Sequence, residues 1–312
     1  MENKILEYKQ KSVLVYGGTG VQGSPVVRRL LQQHFRVRVL VRNSCKAEAL
    51  QQSGAEVAVG NLNDLASLKK ASEGMDAVFL QLPLEFSSAV TEYGCNAIDA
   101  AKTAGVSYVV FNTSVLVPDS NVNVKALDLK RKVEMYLQQS GLQYVILRPT
   151  FYMENLAAPW SAPAIVHQGT VAYPMTSEFK ASWISVEDLG AFAVEALKRP
   201  ELSGSVFNVG GSEALTGNEI AQQFAAVFGR AVNYYPIPLE QFEQQMNAAM
   251  GEPMGTEIAA LYRWFVSQPQ SPAVIDPQPV LQQLPVQITP LKDWIRSQNW
   301  SALAGKAVSK TD

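Results

Sequence analysis

VLVYGGTGVQGSPVVRRLLQQH, residues 13–34, places a run of aliphatic residues, three spaced glycines and an amphipathic helical pattern in immediate succession. The run reads as a buried strand, the glycines as a tight turn, and the remainder as a helix. Gly17, Gly20 and Gly23 stand at G-x-x-G-x-x-G spacing, with Thr19, Val21 and Gln22 between them. Small residues there allow the backbone to approach a ligand closely, while the first helical turn offers unpaired N–H groups and the positive end of its dipole. A diphosphate suits that combination. A tight turn that holds nothing is the competing reading. Pro25 falls beyond the very first helical positions, so a slight distortion of the helix start is expected.

Moving outward, SVLVY, VRVLV, EVAV, AVFL, YVVFN and QYVILR are short apolar runs, each followed by amphipathic sequence or a loop. Continuously apolar strands belong to sheets covered on both faces, and intervening helices make right-handed crossovers. The expected architecture is α/β: a doubly wound parallel sheet followed by a smaller, mostly helical lobe. The boundary is set at residues 1–155 for the sheet domain and 156–312 for the second lobe, with SVFNVGG in 203–212 returning to the sheet. Residues 151–174 read as aromatic and proline-rich loops. Helices are expected near 187–198, 217–228 and 239–250, and a last one at 291–299. Residues 268–290 carry too many prolines for regular structure and are expected to wrap the surface. Thr216 with Glu219, and Ser185 with Asp188, have the spacing of helix-capping pairs.

Composition excludes several functions. The 312 residues are 47% hydrophobic and 17% charged with a net charge of -2, and no basic run forms the stripe that a phosphate backbone requires. Nucleic-acid binding is not expected. No stretch approaches the roughly 20 apolar residues of a membrane span, and the first residues lack the apolar core of a signal peptide. The expected location is therefore cytoplasmic. Cys45 and Cys95 lack C-x-x-C spacing, and His34 and His167 are the only histidines, so neither a disulfide framework nor a metal site is expected. His167 is read as an exposed loop residue.

The second strand bears on which ligand the glycine turn prefers. An NAD site places a carboxylate about 20 residues beyond the glycines, whereas VRVLVRNSCK carries Arg42. A guanidinium pairs with a 2′-phosphate, and Lys46 adds charge nearby, so NADP(H) is the expected cofactor. A solvated strand-end cation is the alternative for Arg42.

GGTGVQG, the VLVRN strand end, LRPTFYMENL, WISVEDLGAFAVEAL and ITPLKDWIRSQ, in this order, resemble the NmrA-like family, an atypical branch of the short-chain dehydrogenase/reductase superfamily related to isoflavone-reductase-like enzymes. The resemblance implies a Rossmann domain, a small second lobe and a ligand cleft between them. The superfamily's catalytic pair is Y-x-x-x-K; here Lys130 matches the lysine, and Ala126 stands where the tyrosine would be. Lys130 shares a helical arc with Ala126, Val133 and Leu137, and a lysine on an apolar stripe requires a partner. The cofactor ribose is the partner that the resemblance implies, with a structural carbonyl or carboxylate as the other choice.

Further candidates surround the expected cleft. Thr113 and Ser114 end the fifth strand, where relatives carry a substrate-positioning hydroxyl, although a turn role fits equally. Pro149, Phe151 and Asn155 follow the sixth strand on the nicotinamide side. Tyr152 could replace the missing phenol or serve as packing. Leu82 and Pro83 should cover the adenosine side, with Asn61 and Leu62 at the adenine edge; Asn61 stands where many relatives have Asp. Trp160, Tyr173, Phe179 and Trp183 could line an apolar pocket or belong to the core. Two functions remain open: an NADPH-dependent reductase of a small carbonyl, enone or quinone, with Lys130 and Tyr152 as catalytic candidates, or a non-catalytic redox sensor acting through a regulatory protein partner.

Overall fold

The apolar runs form one seven-stranded parallel sheet in a computed structural model that describes residues 11–43 and 48–305. Its strands are β1 (Ser12–Val15), β2 (Arg36–Val41), β3 (Glu56–Val59), β4 (Ala77–Gln81), β5 (Tyr108–Asn112), β6 (Gln143–Pro149) and, later in the chain, β9 (Ser205–Val209). They lie in the order β3-β2-β1-β4-β5-β6-β9, so the sheet grows outward from β1 in both directions. Along β1, Val13 and Val15 face one core while Leu14 faces the other, and all three are buried. This two-sided burial is why the strands read as continuously apolar rather than alternating.

Helices α1 (Gly23–Gln32) and α7 (Val186–Lys198) supply the first core; α3 (Leu65–Ser72), α4 (Ala89–Thr103) and α5 (Lys125–Gln139) supply the second. The short α2 (Glu48–Gln52) precedes β3. Pro25 is the third residue of α1, where its absent N–H would have had no helical partner, so the start of the helix needs no distortion. Its ring instead lies against Gly190 of α7, where a Cβ would stand 2.9 Å from the Pro25 Cβ. Thus α7, which falls within the range expected for the second lobe, covers the sheet.

The second lobe has its own core, built by α6 (Ala162–Gln168), α8 (Gly217–Phe228), α9 (Leu239–Met250), α10 (Met254–Ser267), α12 (Leu291–Ser297) and α13 (Trp300–Ala304). Two small ladders complete it: β7 (Thr170–Tyr173) parallel to β11 (Asn233–Pro236), and β8 (Ala181–Ser182) antiparallel to β10 (Ala214–Leu215). Residues 151–174 therefore contain α6 and β7 as well as loops. The proline-rich segment is also not wholly irregular, since it holds α11 (Gln278–Gln283), with Pro279 in the first turn where proline is tolerated. The last predicted helix ends at Ser297, and α13 follows.

Thr216 and Glu219 form a reciprocal capping box at α8. At α7 the Ser185 hydroxyl caps the Asp188 N–H at 3.0 Å, but the Asp188 carboxylate does not close the box on the Ser185 backbone N–H. It accepts from the Thr289 N–H and hydroxyl, both at 2.9 Å, and so anchors the distant proline-rich segment. Among the described residues no helix is long and apolar enough to cross a membrane, and no three His, Cys, Asp or Glu side chains are grouped to hold a metal.

Candidate active site

The glycine turn closes on itself. Gly17 has φ +69°, and a Cβ on Gly23 would stand 2.2 Å from the Gly17 carbonyl oxygen, so this crossing admits only glycine. Gly18, outside the motif spacing, serves packing: its Cβ would meet Val39 at 2.7 Å. No side chain caps the α1 N-terminus and no acid occupies its first turn. Thr19 is exposed and Val21 is 66% exposed, so the amides lie beneath an open, uncharged rim. Such a terminus can receive an anion.

Beside the turn, a cavity of about 310 Å³ opens at the carboxyl ends of β4, β5 and β6. Its floor includes Gln22, Leu82, Pro83, Thr113, Ser114, Lys130, Phe151, Tyr152 and Asn155; α9 and α10 roof it with Phe242, Met246, Leu261 and Tyr262. Trp160, 46% exposed, stands at the rim. Ala126 lines the cavity one helical turn before Lys130, leaving open the space that a larger side chain would occupy.

Lys130 is 7% exposed and its Nζ has no hydrogen-bond partner among the described residues. Burial alone pushes its amine down to about 8. One turn further along α5, Glu134 is also buried, but it receives Arg148 through Nε at 2.8 Å and Nη2 at 2.7 Å. Arg148 Nη1 reaches Asp119 at 2.8 Å. Burial raises the Glu134 carboxyl more than Arg148 lowers it.

A polar network crosses the strand ends. Gln81 donates from Nε2 to the Leu82 carbonyl at 3.1 Å and to Ser114 Oγ at 2.6 Å. Asn112 accepts the Ser114 N–H at 3.0 Å, then donates from Nδ2 to Gln81 Oε1 and, at 3.0 Å, to Gln22 Oε1. Tyr152 donates its hydroxyl to the same Gln22 oxygen at 2.9 Å, and burial holds its phenol well above the usual value. Ser114 adopts φ +66° at the bend after β5.

The NmrA-like family profile matches residues 9–295. The chain belongs to the NmrA-like family. It is 37% identical over 242 residues to an NAD(P)H azoreductase of Xenophilus azovorans, covering 77% of this chain and 82% of that one. Quinone oxidoreductase 2 of Escherichia coli is 28% identical over 245 residues, covering 78% and 83% respectively. Among solved structures, Citrobacter triphenylmethane reductase complexed with NADP(H) aligns with TM-score 0.79 at 21% identity, covering 91% of this chain and 99% of that one, and so shares the fold.

Within this NmrA-like chain, the expected site residues separate into groups. Leu82, Pro83, Gln22, Thr113, Ser114, Lys130, Phe151, Tyr152 and Asn155 line one cavity. Thr113 commits its hydroxyl to the Val115 and Leu147 carbonyls at 2.6 and 3.1 Å, which makes it a turn anchor. Phe151 packs within the second core against Phe265, ring centroids 4.8 Å apart. Asn155 donates to the Tyr173 hydroxyl at 3.2 Å, and that hydroxyl lies 2.6 Å from Tyr262.

Pro149 ends β6 and is buried. Asn61 is exposed and folds back on its own turn, accepting the Asn63 N–H at 3.1 Å, while the Leu62 carbonyl accepts from Asn96 at 2.9 Å. Arg42 is exposed at the end of β2. Lys46 and Cys45 lie outside the described residues. His167 is exposed but lies in the last turn of α6 rather than in a loop; Trp183 is core, Phe179 half-buried, and Tyr173 lines the cavity. Gln81, Asn112, Glu134 and Arg148 were not anticipated. Gln81 and Asn112 are polar residues closing the otherwise apolar strands AVFLQ and YVVFN, and Arg148 interrupts VILRP.

Proposed function

We propose that this chain is an NADPH-dependent reductase of a small conjugated acceptor of carbonyl, enone or quinone type. The buried Lys130 amine, unpartnered among the described residues, at a mostly apolar cavity carries the reading. An isolated ammonium in such a place is costly unless a ligand compensates it. The residues fit the cofactor. The open α1 amides and all-glycine crossing would take the diphosphate, and Arg42, with Lys46, the 2′-phosphate. Leu82 and Pro83, with Asn61 and Leu62, would border the adenosine. Pro149, Phe151, Ser114 and Asn155 would border the nicotinamide, and Lys130 its ribose.

When bound, the reduced nucleotide supplies a hydride equivalent. The chain's part is electrostatic and steric. Aromatic and aliphatic walls exclude water, which strengthens the field of Lys130 at the acceptor. With its amine near 8, Lys130 is largely protonated at neutral pH and sits close to the optimum for giving up a proton. The Tyr152 proton is directed to Gln22, which disfavours it as the acid.

The sensor reading rests on Ala126, which removes the superfamily's acid, and on the fold shared with NmrA, a negative transcriptional regulator solved with NADP, at TM-score 0.74. Two measurements separate the readings. NADPH fluorescence titration should show tighter binding than NADH, with Arg42→Ala erasing most of the difference; equal affinities would reject the 2′-phosphate argument. Steady NADPH oxidation with quinones, enones or aldehydes establishes the reductase. Binding without turnover of any acceptor, together with a co-purifying protein, establishes the sensor.

A further inference from the structure

The hydrogen-bond network at the strand ends has only one consistent orientation. Two backbone groups fix it. The Leu82 carbonyl can only accept, so Gln81 presents Nε2 to it and to Ser114 Oγ, leaving Oε1 to face Asn112. The Ser114 N–H can only donate, so Asn112 turns Oδ1 to it and spends both Nδ2 hydrogens on Gln81 Oε1 and Gln22 Oε1. The Gln22 atom that faces Asn112 is therefore oxygen, and the Tyr152 hydroxyl that reaches the same atom at 2.9 Å must be the donor. Gln22 is thereby locked with its carbonyl inward. Its Nε2 has no partner among the described residues, and the side chain lines the same cavity as Lys130.

From this geometry we infer that Gln22 is a catalytic residue, its Nε2–H groups donating to the substrate oxygen on which negative charge develops beside Lys130. The inference rests on the reductase reading and assigns its substrate class: an acceptor whose carbonyl or quinone oxygen takes hydrogen bonds as negative charge grows on it. A donor held by two partners needs no reorganisation when that charge appears. For a quinone Q the balance is Q + NADPH + H⁺ → QH₂ + NADP⁺. One hydrogen arrives with the electron pair, the other comes from solvent by way of the Lys130 ammonium, and Gln22 keeps both of its own. Tyr152 is then a positioning residue: it holds Gln22 and gives no proton.

The test uses the full chain with 2-methyl-1,4-naphthoquinone as acceptor and compares wild type with Gln22→Met, Gln22→Glu and Tyr152→Phe, each checked by near-UV circular dichroism. Gln22→Met should lower kcat/KM about ten-fold, the worth of one hydrogen bond made to developing charge. The Kd for NADPH by fluorescence should stay within two-fold. Calorimetric affinity of the NADP⁺-loaded protein for the quinone should fall several-fold. Gln22→Glu still accepts from Asn112 and Tyr152 but has no donor, and should lose at least as much turnover. Tyr152→Phe should lose about three-fold with an unchanged pH profile.

Full activity in Gln22→Glu, or a Tyr152→Phe defect larger than that of Gln22→Met, overturns the inference and leaves the reductase reading standing. So does a Gln22→Met defect confined to NADPH affinity. A wild type that turns over no acceptor overturns both together.

Discussion

Lys130 and Arg148 are buried cations on either side of one contact, the packing of α5 on β6, and they are treated in opposite ways. Arg148 engages both oxygens of Glu134 and one of Asp119, so its charge is matched within the fold. Lys130, one turn from Glu134 on the same helical arc, has no hydrogen-bond partner among the described residues. Glu134 could have served either cation, and Arg148 takes it. A matched buried charge specifies how a helix docks on a strand. An unmatched one is a liability in the folded chain, relieved only by what enters the cavity.

The comparison breaks most visibly at Arg148. Arg148→Met leaves Glu134 buried without its partner and should cost about 3–5 kcal/mol in denaturant unfolding. If the loss is below about 1 kcal/mol, the pair is not the clamp described here. Replacing Glu134 with Leu in the same protein should recover much of the loss, because the orphaned carboxylate is gone. Lys130→Met should act in the opposite sense, raising stability at pH 7 by on the order of 1–2 kcal/mol while lowering turnover at least 100-fold.

The pH dependence sharpens the same contrast. The folded Lys130 releases its proton near 8, whereas the unfolded chain holds it to the ordinary 10.5, so the unfolded state binds more protons between those values. The contribution of Lys130 to unfolding free energy should therefore be flat below pH 8, rise from there to about 10.5, and vanish in Lys130→Met. A wild-type and variant difference that does not change with pH would show the amine to be solvated. The smallest effect lies away from both cations: Thr216→Ala at the α8 capping box should cost about 1 kcal/mol and leave turnover unchanged.

What the sequence discloses here depends on whether a residue's role is local. The glycine turn, the seven strands and helices such as Gly217–Phe228 follow from neighbours a few positions apart, which periodicity and spacing report directly. The network Gln81–Asn112–Gln22–Tyr152 joins four segments, and nothing within any one of them announces the others. Asp188 looked like half of a cap because Ser185 is its near neighbour, yet its carboxylate is taken by Thr289, far along the chain. Proline content hid α11, since a proline in the first turn costs a helix nothing. Lys130 was legible as an anomaly on an apolar arc; that Arg148 deprives it of Glu134 was visible only once α5 lay on β6.

The Asp188 to Thr289 contact belongs to a longer itinerary. After α10 the chain leaves Ala273 in the second core, crosses to bury Val280 and Leu284 against the sheet, and returns to set Leu291, Trp294 and Trp300 back in the second core. The two lobes are in effect stitched by a single thread passed through both. Such a seam works against the jaw-like swing by which many two-lobed proteins admit their ligands, and a ligand entering without that swing would meet the exposed side chains of Leu84 and Trp160, which line the cavity.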